Sequence, residues 1–216
     1  MKHFFYIQRI TKASVFFLLL LLGGCISVPT SPSPRFYTLQ PIKETSGIVL
    51  AGAGSLSNVL VGVGPVTLPE YLNRPQMVTR HSDNTVEFAQ FDRWAEFLDR
   101  GMARIIAKNF SILLPTANVE IFPWNSVIPV RYQVMIEVIQ LDCKLDAEAV
   151  LLMQWSILDA QERKTLLTKR SEYRKPIETH NYPGLVQAIS SIMDSVSREI
   201  AQELTQVATQ SPLASQ

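Results

Sequence analysis

Residues 130–175 read VRYQVMIEVIQLDCKLDAEAVLLMQWSILDAQERKTLLTKRSEYRK. Val130, Tyr132, Val134, Ile136 and Val138 alternate with Arg131, Gln133 and Glu137. A period of two puts one set on a buried face and the other in water, so 130–141 is predicted to be a half-buried strand. Residues 149–158, AVLLMQWSIL, are apolar almost throughout and are expected near the centre of a sheet. Residues 159–163 form a polar turn, and 164–175 return with polar alternation as a strand nearer an edge. Three consecutive strands with short links predict an antiparallel meander.

Beyond the meander, Asn181 offers an N-cap and Pro183 fits the first turn of a helix. Leu185, Ile189, Ile192, Val196, Ile200 and Leu204 then trace one apolar stripe. The chain is polar after Val207, and 209–216 reads as a tail. Before the meander, 92–114 predicts a second amphipathic helix. Trp94, Leu98, Ile105 and Phe110 form its stripe, Met102 and Ile106 lie beside them, and Pro115 stops it. Gly101 inside this helix is expected to permit a close approach to the sheet. Short strands are expected at 35–39 and 119–122, and a Gly-, Ser- and Ala-rich loop at 43–58. Strands, helix, strands, helix describe one α+β domain over 35–208. Two amphipathic helices pack on one face of a mainly antiparallel sheet.

The stretch 59–98 carries the candidate site. Val59, Val61 and Val63 alternate as a strand that Pro65 and Pro69 interrupt. Asn73-Arg74-Pro75 makes a bend, because a proline pushes its predecessor out of the helical region. Residues 76–80 and 85–91 read as two further strands around the turn residues His81-Ser82-Asp83-Asn84, with Val86 and Phe88 on one face. Asp92 is expected to open the helix, carrying Arg93, Trp94, Ala95 and Glu96 with it. A proline-punctuated polar segment between strands is a place where a partner binds, or a place where a sheet edge turns. Leu68, Tyr71, Arg74 and Gln76 are the candidate contact residues. Tyr and Arg bury much area and still hydrogen-bond. In the competing reading Tyr71 is core and Arg74 pairs with Glu70 or Glu96.

Met1–Gly24 divides into three parts. Lys2, Arg9 and Lys12 form a basic region, residues 13–22 an apolar run of about ten, and Leu22-Gly23-Gly24-Cys25 the end. About twenty apolar residues are needed to span a bilayer, so the run is too short for a membrane helix. Small residues followed by cysteine match the bacterial lipobox. Residues 1–24 are therefore expected to be a signal peptide, and Cys25 to carry a diacylglyceryl group and an N-acyl chain such as palmitate. Each buried CH2 contributes about 0.8 kcal/mol, and two chains already hold a protein on a membrane. Residues 25–34, rich in Ser, Thr and Pro, form the tether. Ile26, not Asp, follows the cysteine, which under the enterobacterial lipoprotein sorting rule sends the protein to the outer membrane.

Leu68-Pro69-Glu70-Tyr71-Leu72-Asn73-Arg74-Pro75-Gln76, Val78-Thr79-Arg80 and Arg93-Trp94-Ala95-Glu96 resemble the PqiC-type lipoproteins. These are the auxiliary lipoprotein components of ABC-type transporters that carry MCE domains. Asn73 and Phe97 depart from the family's pattern. The resemblance implies a non-enzymatic protein of the periplasmic face of the outer membrane. It also implies a partner, the MCE-domain subunit of a lipid transport system that spans the periplasm and supports envelope integrity. The candidate residues would contact that subunit, or other copies of this chain in a homo-oligomer. The alternative function is a carrier that binds lipid or a small ligand in its own pocket.

Nothing in the composition contradicts this. Loss of Lys2, Arg9 and Lys12 takes a formal charge of +1 to about −2, and no basic stripe points to nucleic acid. Cys25 and Cys143 are the two cysteines, so an acylated Cys25 leaves Cys143 without an intrachain disulfide. His81 and His180 stand in separate polar turns with no metal-ligand spacing. Asp142, Asp146 and Glu148 read as a solvated turn. Gly52, Gly54, Gly62 and Gly64 lack the Lys-Ser/Thr of a phosphate loop. No cofactor, metal or catalytic residue is expected.

Overall fold

The computed structural model describes residues 31–43, 56–57, 59–116, 118–124, 127 and 129–210. The expected signal peptide, Cys25 and most of the tether lie outside these residues, as do most of the 43–58 loop and the end of the tail. Eight strands are described: β1 (Arg35–Tyr37), β2 (Val61–Thr67), β3 (Gln76–Ser82), β4 (Thr85–Trp94), β5 (Val119–Ile121), β6 (Tyr132–Cys143), β7 (Glu148–Asp159) and β8 (Lys164–Pro176). The helices are α1 (Leu98–Leu113) and α2 (Tyr182–Gln210), and a 3-10 turn spans Glu70–Leu72.

The predicted meander is present. β6 pairs antiparallel with β7 from Tyr132↔Asp159 to Cys143↔Ala149, and β7 with β8 from Glu148↔Pro176 to Asp159↔Lys164. The alternation becomes burial: Tyr132, Val134, Ile136, Val138, Ala149, Leu151, Met153, Trp155 and Ile157 all lie in the core. β7 sits between β6 and β8, and β8 is the edge, as its polar alternation requires. Lys164, Lys169, Arg170, Arg174 and Lys175 make that long edge a poor template for another strand.

Both helices pack against this five-stranded sheet, α1 over β2 and β5 and α2 over β7 and β8. Every residue of the predicted α2 stripe is buried. Each such side chain contributes roughly 1.5–3 kcal/mol. Asn181 caps α2 through its Oδ1, which accepts from the Gly184 amide at 2.9 Å. Between the helices the buried Asn109 donates from Nδ2 to Ser197 Oγ at 2.9 Å and accepts at Oδ1 from the Ile42 amide at 2.9 Å. One polar side chain thus ties α1, α2 and the segment after β1 together. No helix among the described residues is long and apolar enough to cross a membrane.

Several details differ from expectation. The strands form two sheets, of order β1-β4-β3 and β5-β2-β6-β7-β8. Both are mixed: β1 is parallel to β4, and β2 is parallel to β5 and β6. Pro65 does not end β2. Pairing with β5 stops at Val63, so the ladder asks no hydrogen bond of Pro65 on that side, and a bulge before Val66 absorbs it. Helix α1 starts at Leu98, not Asp92. Residues Asp92, Arg93 and Trp94 pair instead with Arg35, Phe36 and Tyr37 of β1. Trp94 and Leu98 are both buried, so an extended residue and a helical one together mimicked an i, i+4 pair. A Cβ on Gly101 would meet Glu96 at 3.6 Å, an ordinary contact, so Gly101 is not a close approach to the sheet. Gly62 is the glycine that matters: the Trp124 ring lies on it, and a Cβ there would stand 2.6 Å from that ring.

Candidate functional site

The segment 68–76 is a compact connector from one sheet to the other. Pro69 has extended backbone (φ −54°, ψ 143°) and precedes the 3-10 turn. The Leu72 amide donates to the Pro69 carbonyl at 2.9 Å, the Asn73 amide to Glu70 at 3.1 Å, and the Arg74 amide to Leu72 at 2.9 Å. Leu72 is buried and plugs the turn onto the core. Pro75 then accepts from the Trp94 amide at 2.8 Å, which locks the connector to the end of β4.

The structure divides the four candidate residues. Leu68 and Tyr71 are half-buried and pack on the core. The Tyr71 phenol lies near the Leu141 backbone, Arg80 and Asp142, and burial holds its pKa above the ordinary value. Arg80 and Asp142 form an ion pair at 2.6 Å that joins β3 to β6. Tyr71 thus belongs to a junction between the sheets. Arg74 and Gln76 lie elsewhere. The Arg74 guanidinium stacks on Phe88, its Cζ 3.9 Å from the ring centre, a contact worth about 0.5–1 kcal/mol at an exposed site. Neither carboxylate suggested for Arg74 takes it: Glu96 pairs with Arg104, with Nε to Oε1 at 2.8 Å.

Gln76 shares a register row with Arg93 and Phe36. Residues directly opposite one another in a sheet project to the same side. Phe36 is 61% exposed and Phe88 is 46% exposed, so this row and the Arg74–Phe88 pair form the outer face of the three-stranded sheet. Its inner face holds Tyr37 and Arg35 against Asp92, at 2.8 and 2.9 Å. Sequence reasoning missed Phe36, Phe88 and Arg93 as companions of Arg74. A bulge hid them: between Gln76↔Arg93 and Val78↔Phe88 the register sets residues 89–92 opposite Met77 alone.

The other polar candidates are structural. Cys143 is buried, and burial with Asp142 nearby pushes its thiol up to about 12, which leaves no thiolate at neutral pH. His81 is exposed and stands 3.4 Å from Glu87, while His180 faces the Leu145 carbonyl at 3.2 Å. Asp142 is held by Arg80, and Glu148 by Arg174 at 2.8 Å. Among the described residues no group of three His, Cys, Asp or Glu side chains is placed to hold a metal.

Comparison with known proteins agrees with this architecture. The chain is 25% identical over 186 residues to the intermembrane transport lipoprotein PqiC of Escherichia coli, covering 86% of this chain and 92% of that one. The protein of the same name from Shigella flexneri matches to the same extent. The crystal structure of protein XCC0632 from Xanthomonas campestris has the same fold. Its TM-score is 0.66 at 10% identity, over 82% of this chain and 98% of that one. Residues 37–201 match the model of one family. That match covers the connector, both sheets save the first two residues of β1, and most of α2, and on it the chain belongs to the family of ABC-type transport auxiliary lipoprotein components.

Proposed function

We propose that this chain is a non-catalytic lipoprotein subunit, anchored through Cys25 to the periplasmic face of the outer membrane. There it docks an MCE/ABC-type lipid transport system that spans the periplasm and supports envelope integrity. The observation that carries the reading is the family match across 37–201. The PqiC relatives, named as intermembrane transport lipoproteins, agree with it. Arg74 and Gln76 contact the MCE-domain subunit, and Leu68 and Tyr71 brace the connector that presents them.

Space argues against the carrier reading. The cavity among Leu72, Met77, Trp94, Leu141 and Cys143 amounts to about 10 Å³, no more than one water molecule occupies. A larger groove of about 650 Å³ beside α2 is open to solvent, and Lys175, Glu178, Asp194 and Arg198 share its walls with Ile42, Val186 and Ala188, so it does not enclose a ligand as a carrier pocket would.

The test is co-purification from native envelopes. The wild-type chain is expected to bring down the MCE-domain subunit, and its failure to do so would overturn the docking reading. Cys25→Ala is expected to lose a palmitate-analogue label, and Ile26→Asp to move the protein to the inner membrane in an enterobacterial host. Label retained by Cys25→Ala, or an unchanged density-gradient profile for Ile26→Asp, would refute the anchor or the sorting route respectively.

A further inference from the structure

We infer that the outer face of β1, β4 and β3 docks an acidic segment of a partner protein, one that carries carboxylates beside an apolar side chain. The inference rests on the docking reading above and adds the chemistry of what is bound. Arg74 and Arg93 carry the argument. Neither guanidinium has a carboxylate at ion-pair distance among the described residues. Of the other half-buried arginines, Arg80, Arg104 and Arg131 have one and Arg198 does not. The side chains of Arg74 and Arg93 are half-buried. A guanidinium partly out of water and without a counter-charge keeps an unmet demand for an anion.

The geometry selects the anion. The Arg74 Cζ sits over the Phe88 ring, 3.9 Å from its centre, which holds the guanidinium beside that exposed ring. Arg93 sits in its row between Phe36 and Gln76. A planar fork matches the two oxygens of a carboxylate. The exposed Phe36 and Phe88 rings offer apolar area beside both forks, and aromatic residues with arginine mark interface cores. Gln76 supplies a donor and an acceptor for a passing backbone. An extended segment with alternating acidic and apolar side chains satisfies all of these groups at once. Anionic phospholipid headgroups are the competing source of negative charge.

The full-length lipoprotein, purified in detergent, is titrated with a fluorescent peptide of alternating Leu and Glu. A Leu–Lys peptide and short-chain phosphatidylglycerol are run in parallel. The Leu–Glu peptide is expected to bind with an affinity that falls as salt rises. In Arg74→Gln/Arg93→Gln that affinity is expected to weaken about tenfold or more. Absence of binding, equal binding of the Leu–Lys peptide, displacement by phosphatidylglycerol, or an unchanged affinity in the double variant would each overturn the inference. Arg74→Lys/Arg93→Lys separates geometry from charge: it keeps both positive charges, and the fork argument requires it to bind more weakly than wild type. If the double Gln variant still co-purifies with the MCE-domain subunit, this inference fails and the docking reading stands. If the wild type never co-purifies, the docking reading fails, and the peptide titration still decides the chemistry of the face.

Discussion

The meander β6–β7–β8 and the outer face of the three-stranded sheet β1–β4–β3 differ in how their half-buried arginines are met. On the meander, Arg131 pairs with Asp159 at 2.6 Å, Arg174 with Glu148 and Glu172 at 2.8 and 2.7 Å, and Lys169 with Glu203 of α2. Polar groups at its helix contact are matched too. Glu199 accepts from Tyr173 at 2.5 Å and from Ser171 at 3.0 Å, and Trp155 donates to Ser171 at 3.3 Å. On the outer face of the smaller sheet, Arg74 lies over Phe88, and Arg93 has Phe36 and Gln76 as its register neighbours, with no carboxylate at ion-pair distance of either among the described residues. Compensated charge is what a region needs to be stable on its own. Uncompensated charge beside exposed rings is what a region tolerates when something else completes it.

The comparison breaks first in the core of the meander. Trp155 is 1% exposed, so Trp155→Ala is expected to cost about 3–5 kcal/mol in urea denaturation. A cost near that of a surface change would mean the meander is not the stable half. Next comes Asp159, which is buried against Arg131 and also accepts from the Gln161 and Glu162 amides at 3.0 Å each. Asp159→Ala leaves a guanidinium and a turn unsatisfied together, and a loss of about 3 kcal/mol is expected by the same measurement.

Cys143 tests the seam, since it closes β6 beside Met77 and Trp94. Burial, with Asp142 nearby, pushes its folded thiol up to about 12 from an ordinary value of 9.0. The folded state therefore holds its proton where the unfolded chain has lost it. Below about pH 8 the thiol leaves stability flat. As pH rises past 9 toward 12 the unfolded state gains, and stability falls by up to about 1.4 kcal/mol per unit. Urea midpoints between pH 7 and 11 should decline less steeply in Cys143→Ala than in the wild type. Parallel declines would show that the thiol does not titrate as the seam requires.

The smallest effect lies on the open face. Arg74→Gln/Arg93→Gln is expected to change stability by less than about 1 kcal/mol, chiefly through the lost stack on Phe88. A loss comparable with that of Asp159→Ala would make these arginines part of the fold and remove the contrast between the two sheets.

Legibility followed the same division. Where one period ran unbroken, as from Val130 to Val138 or along the α2 stripe, pattern and structure coincide. Side chains alternating in or out of water are a local property of the strand or helix. The candidate connector was also readable: Pro69, Tyr71, Arg74 and Pro75 marked an irregular segment between strands. Tyr71 and Arg74 stand three residues apart, yet they serve different places. The 3-10 turn sends Tyr71 toward Arg80 and Asp142 and leaves Arg74 on Phe88. The start of α1 was misplaced for a related reason. Helical spacing from Trp94 to Leu98 is a local signal, and a non-local pairing with β1 overrode it.

The sequence by itself determined the α+β class, the meander, the apolar stripe of α2 and the resemblance to transport auxiliary lipoproteins. Each of those is written in the order and period of neighbouring residues. Only the tertiary structure decided that the strands divide into two mixed sheets, that β4 runs on to Trp94, and that Phe36, Arg93, Gln76, Arg74 and Phe88 share one face. Parallel pairing and register bring together residues more than fifty positions apart, and nothing in a local period encodes which distant strand will be the neighbour.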